Sequence, residues 1–196
     1  GDGIINARED ILTRKRVGRR ITREDVGIDN VENRTQSDGT KVNASVRTFN
    51  FGAIGEMYQD GVEKKFEKAF GSDYDSITLT ASDGNPIKTP KFDTPEKGVQ
   101  YFGFWLKHRG EPRSISKIIQ KYATGSPSAY QSHVAKSTGI DPNATLTDDQ
   151  LAQVAVAMFD WEAGTGSSSA KLAGEILDQV DVKENILKGM KMYEDS

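Results

Sequence analysis

The sequence predicts a mainly α fold of the α+β kind: a compact C-terminal helical domain of about four to six helices with a short β-hairpin, behind an irregular, charged N-terminal arm. Three observations predict it. After Phe92 four helical patterns follow one another, each with its own start and stop signals. Before them, SITLTASDGNPIKTPKF alternates apolar and polar residues around a Gly turn. Residues 1–45 are charged and lack a period, which sets them apart from the helical domain at 46–196.

Taken in order, the arm holds TRKRVGRR and then NRTQSDGTK, in which Asp38-Gly39 is a turn signal. It reads as a loose arm or as strands in need of a partner. ASVRTFNF, Ala44 to Phe51, alternates and is rich in β-formers, so a short strand is expected there. From Glu56 to Phe70, Met57, Val62, Phe66 and Phe70 recur near helical spacing and Gly71 ends the pattern. The segment around Ile77, Leu79 and Gly84 then reads as a hairpin or an extended crossing.

Thr94 can cap the next helix with Pro95 at its first position, where the missing N–H costs nothing; Val99, Phe102, Trp105 and Leu106 line one face and Gly110 closes it. Ser114 or Ser116 opens a second helix, Ser126-Pro127 a third that ends at Gly139, and Thr147 with Gln150 forms a capping box for the fourth, which stops at Gly164. A last helical stretch from Ser168 to Tyr193 breaks in two near Asp181 to Asn185. GTGSSS, before it, joins elements of one domain.

Composition narrows the function. With 196 residues the chain has room for one sizeable domain or a compact domain with an appended segment. The absence of cysteine excludes disulfides, thiolate metal sites and a cysteine nucleophile. A net charge of −3 argues against a nucleic-acid binder that uses its whole surface. A local contact remains open through Arg14, Lys15, Arg16, Arg19 and Arg20, a basic block that either neutralises phosphates or is a solvated charge run. No run approaches the roughly 18 apolar residues of a membrane span, and GDGIINARED lacks the regions of a leader. His108 and His133 stand alone, so no metal is expected, and no glycine-rich phosphate loop or other cofactor motif occurs.

One carboxylate stands out. Leu151, Val154, Ala155 and Met158 form the inward stripe of the fourth helix, and Glu162 is the next position on it. Beside Trp161, Met158 and Phe159 its charged form would be disfavoured and its pKa raised, as a general acid needs near neutral pH. Glu162 can equally be a solvated helix end, or pair with Lys107 or Arg109. Asp160 points away by about 200°, so a second carboxylate must come from elsewhere, with Asp93, Glu96 and Glu111 as candidates. Glu56, after Gly52-Ala53-Ile54-Gly55, is a further acid candidate or a plain first-turn residue. Trp105, Tyr122, Tyr130 and Trp161 could offer sugars a stacking platform, or be core.

Residues 92–164 carry a resemblance. FDTPEKGVQYFGFWLKHRG, SISKIIQKYATGSPSAYQSHVAKSTGI and LAQVAVAMFDWEAG align with the patterns F-x-x-P-E-x-G-[IV]-R-A, I-x-x-I-I-x-[RK]-[WY]-A-P, T-x-x-Y-[IV]-x-x-V-A-x-x-x-G-[IV] and a helix ending A-[IM]-x-x-x-E-x-G. In register are Phe92, Pro95, Glu96, Gly98, Ile115, Ile118, Ile119, Lys121, Tyr122, Ala123, Tyr130, Val134, Ala135, Gly139, Ile140, Ala157, Met158, Glu162 and Gly164. This pattern resembles a family of phage structural proteins also found in prophages. Its Asn-Pro-Gly-Asn segment is reduced here to Asn85-Pro86, and its Pro-Pro-x-Glu-Asn-x-Thr loop is shortened and stripped of its acid at Thr124 to Ser128.

The resemblance implies a virion component linked to genome ejection, with a domain like the lysozyme-like modules that degrade murein. It would act at the host envelope on bacterial peptidoglycan, by binding it or by cleaving its glycan in the manner of a muramidase or lytic transglycosylase. Its partners would include other virion proteins, with DNA reached through the basic arm. The other class it leaves open is a non-catalytic structural or docking module.

Overall fold

The computed structural model describes residues 21–56, 61–71, 74–81, 83–123 and 127–196, and among them it is mainly helical with one two-stranded hairpin. The elements are α1 (Ala44–Arg47), α2 (Val62–Phe70), β1 (Asp75–Thr80), β2 (Pro86–Lys91), α3 (Pro95–His108), α4 (Ile115–Tyr122), α5 (Pro127–Thr138), α6 (Asp148–Ala163), α7 (Ser168–Leu177) and α8 (Val182–Glu194). No described helix is long and apolar enough to cross a membrane.

Local chemistry accounts for most boundaries. The Thr94 hydroxyl accepts from Lys97 N, with Pro95 opening α3. Ser114 caps α4 in the same way. At α6 both bonds of the capping box form, Gln150 N to Thr147 Oγ1 at 3.2 Å and Thr147 N to Gln150 Oε1 at 3.0 Å. Within GTGSSS, Ser167 caps α7. The final break falls at Asp178–Asp181, slightly earlier than the spacing suggests, because the Asp181 carboxylate caps α8 and leaves Asn185 inside it.

β1 and β2 pair antiparallel, Ile77 opposite Thr89, around a turn in which Asp83 accepts from Asn85 N and Gly84 takes a left-handed φ of 85°. The arm from residue 21 is irregular, with a tight turn at Asp38-Gly39 and a bridge from Thr35 to Lys41. It is nevertheless anchored: Ile21, Val26, Ile28 and Val42 are buried in the same core as α3. Arg14 to Arg20 lie outside the described residues.

Two expectations are corrected. Ala44 to Phe51 is no strand but the short helix α1 followed by a buried turn. Asn43 caps it by accepting from Ser45 N, and Arg47, 4% exposed, donates to the carbonyls of Val31 at 2.8 Å and Val42 at 2.6 Å. Phe49 then adopts a left-handed φ of 55°, which a strand does not accommodate, and Arg23 lies over its ring at 4.5 Å. Glu56, in turn, does not open α2. Its N–H bonds Lys88 O of β2 at 3.0 Å, and the helix starts only after Gly61.

α3 forms the centre, buried from Gly98 through Leu106 on every side, as a helix apolar all round must be. On its outer edge Tyr101 and Phe104 meet Phe66 and Phe70 of α2. On the other, Phe102 and Phe159 of α6 pack edge to face at 5.2 Å. Three glycines set how closely the backbone approaches. A Cβ at Gly103 would overlap the Ile186 carbonyl of α8, one at Gly189 the Gln100 carbonyl, and one at Gly98 the Phe49 carbonyl.

This packing predicts opposite outcomes for one substitution. Gly103→Ala and Gly189→Ala should each cost about 2–3 kcal/mol, as backbones that touch cannot yield to a methyl. Gly174→Ala, on α7 with nothing within 4 Å of the added carbon, should stabilise by about 0.5–1 kcal/mol. Urea unfolding of the three variants measures both.

Candidate functional site

The inward stripe of α6 forms as counted: Leu151, Val154, Ala155 and Met158 are buried, and Glu162 follows at the last turn. There Gly164, with a φ of 93°, ends the helix by donating to Trp161 O at 3.0 Å. Tyr130 from α5 lies against this end. Its hydroxyl donates to Met158 O at 3.3 Å and its ring stacks on Trp161 at 5.1 Å. Tyr122, the last residue of α4, meets Tyr130 edge-on at 5.9 Å and Trp105 of α3 edge-on at 5.1 Å. The four aromatics expected from the sequence thus form one continuous row beside Glu162.

Burial pushes the Glu162 carboxyl above its ordinary range, and the neighbouring Tyr130 hydroxyl opposes that shift in part. No cation is paired with it among the described residues. Lys107 is committed elsewhere, to Glu111 at 2.8 Å and Glu194 at 2.7 Å. Burial, reinforced by the Glu162 charge, drives the phenols of Tyr122 and Tyr130 far above theirs, so both stay neutral. The Tyr122 hydroxyl is enclosed without a well-formed partner, although part of the residue reaches the surface.

The row is less of a platform than the sequence suggests. Trp105 and Tyr130 are each 4% exposed, so only Trp161 and Tyr122 keep surface for a ligand. His133 of α5 flanks Trp161 at 5.2 Å between centroids, and its Nε2 approaches Asp160 Oδ2 at 3.2 Å without the alignment of a hydrogen bond. Asp160 also accepts from the Thr165 hydroxyl at 2.9 Å. It faces away from Glu162 as the wheel requires and borders a shallow cavity of about 600 Å³ between α5 and α6.

Glu56 belongs to a second cluster. Its Oε2 is enclosed with no hydrogen-bond partner among the described residues. Burial first and the Glu56 charge second raise the Tyr74 phenol, and Tyr101, which donates to Gly55 O at 2.7 Å, is likewise driven up by burial, then by Tyr74 and Glu56. The two acids act on different pairs of tyrosines. Of the other candidates, Asp93 pairs with Lys97 at 3.0 Å, and Glu111 with Lys107 and with Arg113 at 2.7 Å. Among the described residues no group of three potential ligands could hold a metal ion.

The sequence reading missed Tyr74 and Tyr101 as the company of Glu56. Spacing gives no sign of them, because they come from the hairpin and from α3.

Fold and site together define a mainly helical protein with a hairpin and a half-buried acid held among neutral tyrosines. No known family's sequence model matches the chain, and no curated protein does.

Two measurements probe Glu162. Tyr130→Phe keeps the ring on Trp161 but removes the hydroxyl that holds the carboxyl down, so the Glu162 pKa should rise further in a carboxyl NMR titration. Because the folded pKa lies above the unfolded value of about 4.5, the stability Glu162 contributes is full below that value and is lost as pH rises through the folded one. Glu162→Gln should therefore raise Tm relative to wild type at pH 8, with the gain vanishing near pH 4.

Proposed function

We propose that the protein is a phage virion component associated with genome ejection, whose helical domain engages bacterial peptidoglycan at the host envelope and cleaves its glycan with Glu162 as the acid. The observation that carries this reading is a carboxyl at a helix end, pushed up by burial, with no cation paired with it among the described residues and with the Tyr130 hydroxyl beside it. Such a group keeps its proton to a higher pH than an ordinary glutamate and can give it to a glycosidic oxygen. As that oxygen leaves as a hydroxyl, the sugar's C1–O bond breaks, and with no second carboxylate in the cluster among the described residues the positive C1 is captured by water or by a hydroxyl of the sugar itself, whose proton returns to the Glu162 carboxylate. Trp161 and Tyr122 supply the exposed aromatic surface for the sugar ring. The resemblance over residues 92–164 supports the virion context, in which other virion proteins are partners and Arg14, Lys15, Arg16, Arg19 and Arg20 supply a contact to DNA or protein.

A second reading is a non-catalytic docking module of the virion. The interior position of Trp105 and Tyr130 favours it, since a row packed this way also serves purely to hold α4, α5 and α6 together.

Release of muropeptides and clearing of a peptidoglycan suspension by the purified chain separate the two. The catalytic reading expects activity that falls as pH rises through the Glu162 pKa, and a loss of about 100-fold or more in Glu162→Gln. A wild-type protein that sediments with peptidoglycan but releases nothing between pH 4 and 8 would establish the docking module instead.

A further inference from the structure

A cleft of about 470 Å³ opens where the end of α2, the foot of the hairpin and the start of α3 meet, a volume in the range of small-molecule sites. Its apolar wall consists of Phe70, Phe92 and Tyr74, with the two phenylalanine rings 5.5 Å apart. Three cations line it, Arg23, Lys91 and Lys97, against two carboxylates, Asp75 and Asp93.

The cations are unequally satisfied. Lys97 has Asp93 at 3.0 Å. Lys91 has Asp75 at 3.7 Å and Glu32 at 3.9 Å, too far for hydrogen bonds, although its side chain is only 23% exposed. Its ammonium donors therefore have no hydrogen-bonded acceptor among the described residues. Arg23 spends Nε on Arg47 O at 2.7 Å and Nη2 on Phe92 O, with its plane over Phe49. Burial draws its pKa down, and the charges of Asp93 and Asp75 offset this only in part. Among the described lining residues three cations thus face two carboxylates, with Glu32 a distant third, and the Lys91 ammonium sits beside aromatic rings without a short bond of its own.

We propose that this cleft binds a small organic monocarboxylate, with the carboxylate on Lys91 and Arg23 and the apolar body against Phe70 and Phe92. A single carboxylate gives Lys91 the short charge-assisted bonds it lacks. A phosphate dianion would meet stronger repulsion from Asp75 and Asp93 and leave the aromatic wall unused. The cleft shares no lining residue with the Glu162 cluster, so this site stands apart from the peptidoglycan reading.

N-acetylphenylalanine, its neutral amide and inorganic phosphate, each titrated into the full chain and followed by amide NMR shifts, test the proposal. The acid should shift the amides around Phe70, Lys91 and Phe92 and bind at least about tenfold tighter than the amide or phosphate. Lys91→Gln should weaken the acid about tenfold, whereas Lys188→Gln, an exposed charge on α8, should leave it unchanged. The comparison of acid with amide needs no variant, so it holds even if Lys91→Gln proves unstable. Equal binding of acid and amide, preference for phosphate, equal losses in the two lysine variants, or shifts confined to other surfaces would each overturn the proposal.

Discussion

The structure depends on how closely backbone meets backbone along α3. Gly103 and Gly189 bring α3 and α8 together at the carbonyls of Ile186 and Gln100, and Gly98 seats the first turn of α3 on the Phe49 carbonyl. With these approaches set, the large side chains of α3 have no freedom of depth. Tyr101 and Phe104 are pressed toward α2, and Phe102 and Trp105 toward α6 and α4. Tyr101 lies in the field of Glu56, and Trp105 contacts the Tyr122 that lies in the field of Glu162. Both acid clusters are in this sense built outward from one helix.

The Phe49 turn shows what the constraint demands of the rest of the chain. A phenylalanine at φ 55° is strained, and the strain is sustained because its neighbours leave no alternative: its carbonyl abuts Gly98, its ring is covered by Arg23, and Phe51 continues into the core. Arg47 and Arg23 support the same turn by donating to main-chain carbonyls of Val31, Val42 and Phe92. This is why residues from 21 onward are part of the folded body even though they form almost no regular structure. Their role is to cap, with side-chain donors, a stretch of main chain that neither helix nor sheet satisfies.

What was legible in the sequence follows from the range of the physics involved. Caps act over three or four residues, so Thr94-Pro95, the Thr147–Gln150 box and the Gly164 stop could be read directly. The helical period likewise placed Glu162 on the buried stripe and Asp160 off it. Ala44 to Phe51 was misread because its conformation is decided by Gly98, Val31 and Val42, which no local pattern includes, and its β-branched and aromatic residues suit a strand in isolation. Glu56 was found as a residue but placed wrongly, since its position comes from a bond to Lys88 across the hairpin. The aromatics were identified correctly as a set, yet whether a ring is wall or surface is a question of depth, and Trp105 and Tyr130 proved interior.

The acidity of Glu162 belongs to an interface rather than to a residue. Burial between α4, α5 and α6 raises its proton affinity, and one hydroxyl, from Tyr130 on α5, lowers it. That hydroxyl is located by its bond to Met158 O and by the stack on Trp161, both on α6. A small slide of α5 along α6 would alter the burial and the place of that hydroxyl together, and the two act in opposite directions. The stack on Trp161 therefore fixes the balance between them: it holds the tyrosine at one distance from the carboxyl, and with it the pH at which Glu162 ionises.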